Sequence, residues 1–160
     1  MLRLKNELHL KLAFELLWNI LIVLICLLVV FPIYLKLPDY PFLVSNVLFI
    51  IVFLSFFRYI FFLKHTFASK SYFIKLFLLT LSIILEFILI YFFNTFRNFM
   101  DEQGLQSLFE KFSARENDEM TTYIKAETIF FAVGSIIVSA ILPVRMLISV
   151  WRQYNNKSVE

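Results

Sequence analysis

The stretch that decides the fold is residues 72–93, YFIKLFLLTLSIILEFILIYFF. Its apolar side chains continue for about 20 positions, the length with which a helix crosses the ~30 Å hydrocarbon core of a bilayer. Glu86 stands near the middle of this run. An ionised carboxylate at that depth is costly unless it is protonated, paired or hydrated, so Glu86 is the first candidate for a functional residue.

Three further apolar runs of similar length accompany it. Together they predict an all-α protein, an integral membrane four-helix bundle with spans at 14–35, 42–63, 72–95 and 128–150. The chain has 160 residues and is 61% hydrophobic, so we expect a single transmembrane domain over 1–160. The first run is longer than the apolar core of a signal peptide and lacks a small-x-small cleavage site after it, which indicates an uncleaved span.

Basic residues are concentrated at one end of the predicted bundle. The N-terminal arm, the loop 64–71 and the C-terminal tail are basic, whereas the connection between spans 3 and 4 is rich in acids. The positive-inside rule therefore predicts both termini in the cytoplasm. The short connections 36–41 and 64–71 also predict that spans 1 and 2, and likewise spans 2 and 3, pack as antiparallel neighbours.

The predicted external loop, 98–127, begins with an amphipathic pattern. Four apolar residues follow the helical i, i+3, i+4, i+7 spacing: Leu105, Leu108, Phe109 and Phe112. One interpretation is a helix that lies on the outer membrane surface or caps the bundle. The other is an external docking surface for a partner.

The second half of this loop has its own helical signals. Ser113 is the predicted cap of a helix, with Glu116 at the third position of the capping pattern. Met120, Tyr123 and Ile124 then form an apolar stripe that leads into span 4.

Four charged residues form the candidate embedded charge network: Glu15, Arg58, Glu86 and Arg145. Measured from the nearest flanking base, Glu86 lies about 16 Å into its span and the other three lie about 6–10 Å into theirs. The arginines can therefore snorkel to phosphates or pair with the acids and fix helix register. Alternatively, Glu86 titrates during proton or ion passage, or contacts a charge of another subunit.

Span 4 carries residues that permit close helix packing. Gly134, Ser135 and Ser139 are small, and the two serines form a small-xxx-small pair that suits contacts within the bundle or between chains. Pro143 is predicted to kink the span close to Arg145.

Enzyme chemistry has little support. The chain has one cysteine and two histidines, His9 and His65, and it lacks the P-loop, G-x-G-x-x-G and H-E-x-x-H patterns. Haem or metal binding by the histidines is a weak interpretation, because histidines at a membrane edge are usually solvated. We therefore predict no catalytic residues, no cofactor, no metal and no nucleic-acid partner. The expected partners are membrane lipids together with other membrane protein subunits or further copies of the chain.

Three stretches carry a resemblance: FRYIFFLKH at 57–65, FMDEQGL at 99–105 and PVRMLISVWR at 143–152. Together they resemble a group of small uncharacterised four-span inner-membrane proteins of Bacteroidota-type bacteria. The resemblance implies the bacterial inner (cytoplasmic) membrane as location and carries over no catalytic residues.

The predicted function is that of a non-enzymatic accessory or assembly subunit of a larger membrane protein complex. The alternative is a homo-oligomeric ion channel or proton pathway, including a pore-forming stress or phage-defence effector. A four-helix monomer is too thin to enclose a wide pore, so the alternative requires several copies.

Overall fold

The computed structural model describes residues 2–105, 108 and 113–157. The described chain contains the helices α1 (Leu2–Lys36), α2 (Leu43–Phe61), α3 (Tyr72–Glu102) and α4 (Ala114–Lys157). Each of these four helices is long and apolar enough to cross a membrane. The prediction of an all-helical chain with four helices of membrane-spanning length is therefore confirmed.

Helix α4 lies at the centre of the arrangement. It packs along α2 and along α3, α1 packs mainly on α2, and direct contact between α2 and α3 is slight. The spatial order is α1–α2–α4–α3, so the predicted pairing of spans 2 and 3 is wrong. A short loop limits how far apart two helices lie, but it does not prevent a third helix from packing between them.

Small residues explain the central place of α4. Ala132 and Ser135 are fully buried and Ser139 is nearly so. A Cβ atom at Gly134 would lie 2.9 Å from two ring atoms of Phe53 on α2. The Phe53 ring of α2 therefore packs directly on the α4 backbone at this point.

The long connection between spans 3 and 4 is mostly helical. Because α3 continues to Glu102 and α4 begins at Ala114, most of the predicted loop 98–127 belongs to these two helices. The Ser113 hydroxyl accepts from the Glu116 amide and donates to the Glu116 carboxylate. The predicted capping pattern is confirmed.

The end of the bundle that holds this connection, which we call the loop end, is closed by an apolar cluster. Its buried members come from α1, the α1–α2 turn, α3, the connection and α4: Ile33, Tyr40, Phe42, Phe96, Leu105, Met120 and Ile124. Leu105 is buried in this cluster, so the docking-surface interpretation is corrected for this residue. Leu108 is half-buried against the same cluster, and its part in a docking surface stays a prediction. Periodicity identifies an apolar face but not whether the chain itself covers it. Phe109 and Phe112 lie outside the described residues.

The opposite end, which we call the terminal end, gathers the first half of α1, the α2–α3 linker and the end of α4. Lys11 Nζ donates to Ser69 Oγ at 2.8 Å, and Gln153 Nε2 donates to the Lys70 carbonyl at 3.1 Å. The two termini therefore share one end of the bundle.

Candidate functional site

Three carboxylates lie at helix interfaces at three different levels of the bundle. Glu15 lies toward the terminal end, Glu86 near the middle of α3, and Glu127 toward the loop end. Each has a hydrogen-bonding or charged partner on another element, which fits the cost of leaving a carboxylate unpaired in an apolar environment.

Glu15 is paired with Arg58. Its Oε2 lies 2.6 Å from the NH1 atom of Arg58, with side chains 17% and 5% exposed. NH1 approaches as an ion pair without an aligned hydrogen bond, while NH2 donates to the Tyr59 hydroxyl at 2.9 Å. The Glu15 carboxylate also accepts from the Phe67 amide at 3.3 Å. The pair thus connects α1, α2 and the α2–α3 linker.

Glu86 and Arg145 have partners other than each other. Glu86 accepts a hydrogen bond from the Ser139 hydroxyl, and Arg145 Nε donates to the Ile60 carbonyl at 3.2 Å. Among the described residues, neither forms an ion pair. The expected Glu86–arginine pair is therefore corrected: α4 lies between Glu86 on α3 and Arg58 on α2, and depth along a span does not indicate which helix faces meet.

Gly134, Ser135, Ser139 and Pro143 all lie on α4. Ser135 donates to the Ala132 carbonyl at 2.8 Å, which satisfies its buried hydroxyl within the helix. The helix continues on both sides of Pro143, and a kink at this residue stays a prediction.

Sequence reasoning missed Glu127, which it placed among the acids of the external loop. Glu127 is 8% exposed, and it accepts from the Asn46 side-chain amide of α2. A signal was present, because Met120, Tyr123, Ile124 and Glu127 follow i, i+3, i+4, i+7 and so share one helix face.

Lys75, the flanking base from which the depth of Glu86 was counted, is only 2% exposed. Its ammonium donates to the side-chain oxygen of Gln153 at 2.7 Å. This contact joins α3 to α4 at the terminal end.

Within the described part of the chain, no group of three or more His, Cys, Asp and Glu side chains is placed to hold a metal ion. Comparison with protein-family models, curated proteins and solved structures finds no match to this chain. The four apolar helices are those of a multi-pass membrane protein.

Proposed function

We propose that this protein is a non-enzymatic accessory or assembly subunit of a larger complex in a bacterial inner membrane. The observation that carries the proposal is the filled centre of the bundle. Helix α4 packs between α2 and α3, and its Ala132, Leu142 and Met146 are fully buried. Such a core supports a packed subunit better than a conducting monomer.

The embedded charges at the terminal end fit the same role. The Glu15–Arg58 pair and the Lys75–Gln153 hydrogen bond each join two helices. Paired groups of this kind fix the register and neighbours of helices.

The outer faces of α1 and α3 supply surface for neighbours. Only 17% of the 18-residue apolar stretch of each of these helices is buried inside the chain, against 39% for the corresponding stretches of α2 and α4. These faces suit lipid and the apolar helices of other subunits alike.

A second candidate function rests on Glu86. Its hydrogen-bond partner is a neutral hydroxyl, and a carboxyl near the middle of a span without a basic partner is a feature of proton and ion pathways. This candidate requires several copies of the chain to enclose a path.

Purification and reconstitution distinguish the two. An accessory subunit extracted in mild detergent should co-purify with foreign membrane proteins at a fixed ratio, as measured by mass spectrometry, and the pure protein should conduct nothing in vesicles. Glu86→Gln should weaken that co-purification or lower the melting temperature, because the carboxylate–Ser139 contact loses strength. Glu119→Gln, at an exposed position of α4, is the matched control. A robust ion flux from the pure protein, lost in Glu86→Gln with assembly intact, would establish the pathway instead.

The proposed orientation places the terminal end in the cytoplasm, because its linker and helix ends carry the basic residues. In a Cys26→Ala background, a membrane-impermeant thiol reagent applied to intact cells should label Glu116→Cys at the loop end. It should spare Lys64→Cys at the terminal end. Both positions are exposed in the structure, and the opposite labelling pattern would reverse the topology.

A further inference from the structure

Four polar side chains are buried together at the loop end, and we call them the Glu127 cluster: Tyr40, Asn46, Glu127 and Thr128. Their exposed fractions are 5%, 1%, 8% and 0%. They come from three elements, namely the α1–α2 turn, α2 and α4.

Two buried polar atoms of this cluster lack a hydrogen-bond partner in the described part of the chain. The Asn46 amide donates to Glu127 Oε1, and the Thr128 hydroxyl lies 3.2 Å from both that oxygen and Asn46 Oδ1. Glu127 Oε2 and the Tyr40 hydroxyl have no hydrogen-bond partner among the described residues. Buried polar atoms are normally paired, so the ionised carboxylate of Glu127 is under-satisfied here.

Positive charge is missing as well. No basic side chain within the described ranges forms an ion pair with Glu127. The titratable groups on which its charge acts are Cys26 of α1, Tyr40 of the turn and Tyr123 of α4. These groups are a thiol and two phenols, which are uncharged near neutral pH. From α3, Phe96 packs in the apolar cluster at the loop end, and its side chain carries no charge.

Tyr40, which lies in the turn outside the spans, responds to the same surroundings. Burial raises the pKa of its phenol strongly, and the Glu127 charge adds to that rise. Nearby Thr128 and Asn46 oppose the rise of this pKa, although neither has hydrogen-bond geometry to the phenol. Tyr40 therefore stays protonated and neutral. An ionised Glu127 would be an uncompensated buried anion, which is costly.

We propose that the Glu127 cluster is a proton-binding site. A proton taken from water forms an O–H bond on the free carboxylate oxygen of Glu127, which removes the buried charge. The same proton gives this unpaired oxygen an O–H group that can donate within the cluster. Because the cluster joins the α1–α2 turn to α4, loss of the proton loosens the packing of the loop end. This inference does not depend on whether the protein is an accessory subunit or a pathway.

Infrared spectroscopy of the purified full-length protein tests the site. The C=O band of a protonated carboxyl should be present near neutral pH, vanish in Glu127→Gln and persist in Glu86→Gln. The band should also disappear as the pH is raised. The folded state binds this proton more tightly than the unfolded state, so the melting temperature of the wild type should fall by several degrees as pH rises through the titration. Glu127→Gln should lose this pH dependence.

A second variant keeps the test valid if Glu127→Gln does not fold. Asn46→Leu removes an N–H donor that favours the ionised carboxylate, so the carboxyl band should persist to higher pH than in the wild type. Absence of a Glu127-dependent band near neutral pH would overturn the proposal. So would stabilisation by Na⁺ at fixed pH that Glu127→Gln abolishes, because the cluster would then hold a metal cation.

Discussion

Replacing Arg58 with leucine should lower the free energy of unfolding by about 3–5 kcal/mol, the usual cost of stranding one partner of a buried ion pair. Glu15 is only 17% exposed and lies 2.6 Å from Arg58, so its carboxylate would stay in an apolar interface without a counter-charge. The measurement is unfolding of the purified protein in detergent micelles, followed by melting temperature and by denaturant.

The double mutant Glu15→Gln/Arg58→Leu should recover much of this loss, because no uncompensated charge remains. As a control, Arg115→Ala removes one partner of an exposed pair whose side chains are 90% and 64% exposed, and we expect it to change stability little. Strictly additive effects of the two single substitutions at Glu15 and Arg58 would show that the pair is not coupled.

The second large effect is expected at Gly134. Valine there should destabilise the protein by about 1–3 kcal/mol or more, the cost of overpacking a close contact. A Cβ atom would lie 2.9 Å from two Phe53 ring atoms. That ring is held by neighbouring rings of Phe130 and Phe131, each with its centroid 5.9 Å away, so it has little freedom to move aside.

Two variants show whether the clash occurs inside one chain. Phe53→Ala should rescue Gly134→Val by vacating the ring, with both variants compared in the same unfolding measurement. Ala140→Val adds similar volume at an exposed position of the same helix, and we expect it to be nearly neutral. If Phe53→Ala fails to rescue, or if Gly134→Val has no effect, the packing of the Phe53 ring on Gly134 is contradicted.

The part of the candidate site that depends only on depth along a span was predictable from the sequence. Glu15 and Arg58 lie at similar distances into their spans, and they belong to helices joined by a tight turn. The sequence therefore indicated that these two residues can meet. Glu86 was singled out as an embedded carboxylate, but its partner Ser139 was not predicted. The position of α4 between α2 and α3 leaves no signal in depth along a span. Glu127 was assigned to the loop because the predicted fourth span began at residue 128, directly after it.

Length and apolar composition by themselves determined four helices of membrane-spanning length, since backbone groups in hydrocarbon have to bond within their own segment. The Ser113–Glu116 cap depends only on residues close together in the chain, and the sequence predicted it. Only the tertiary structure decided the order α1–α2–α4–α3 and the burial of Leu105 and Glu127. The physical reason is that lipid and protein offer an apolar helix face nearly the same environment, so hydrophobicity does not select a neighbour. Close packing at small residues such as Gly134 selects the neighbouring helix instead.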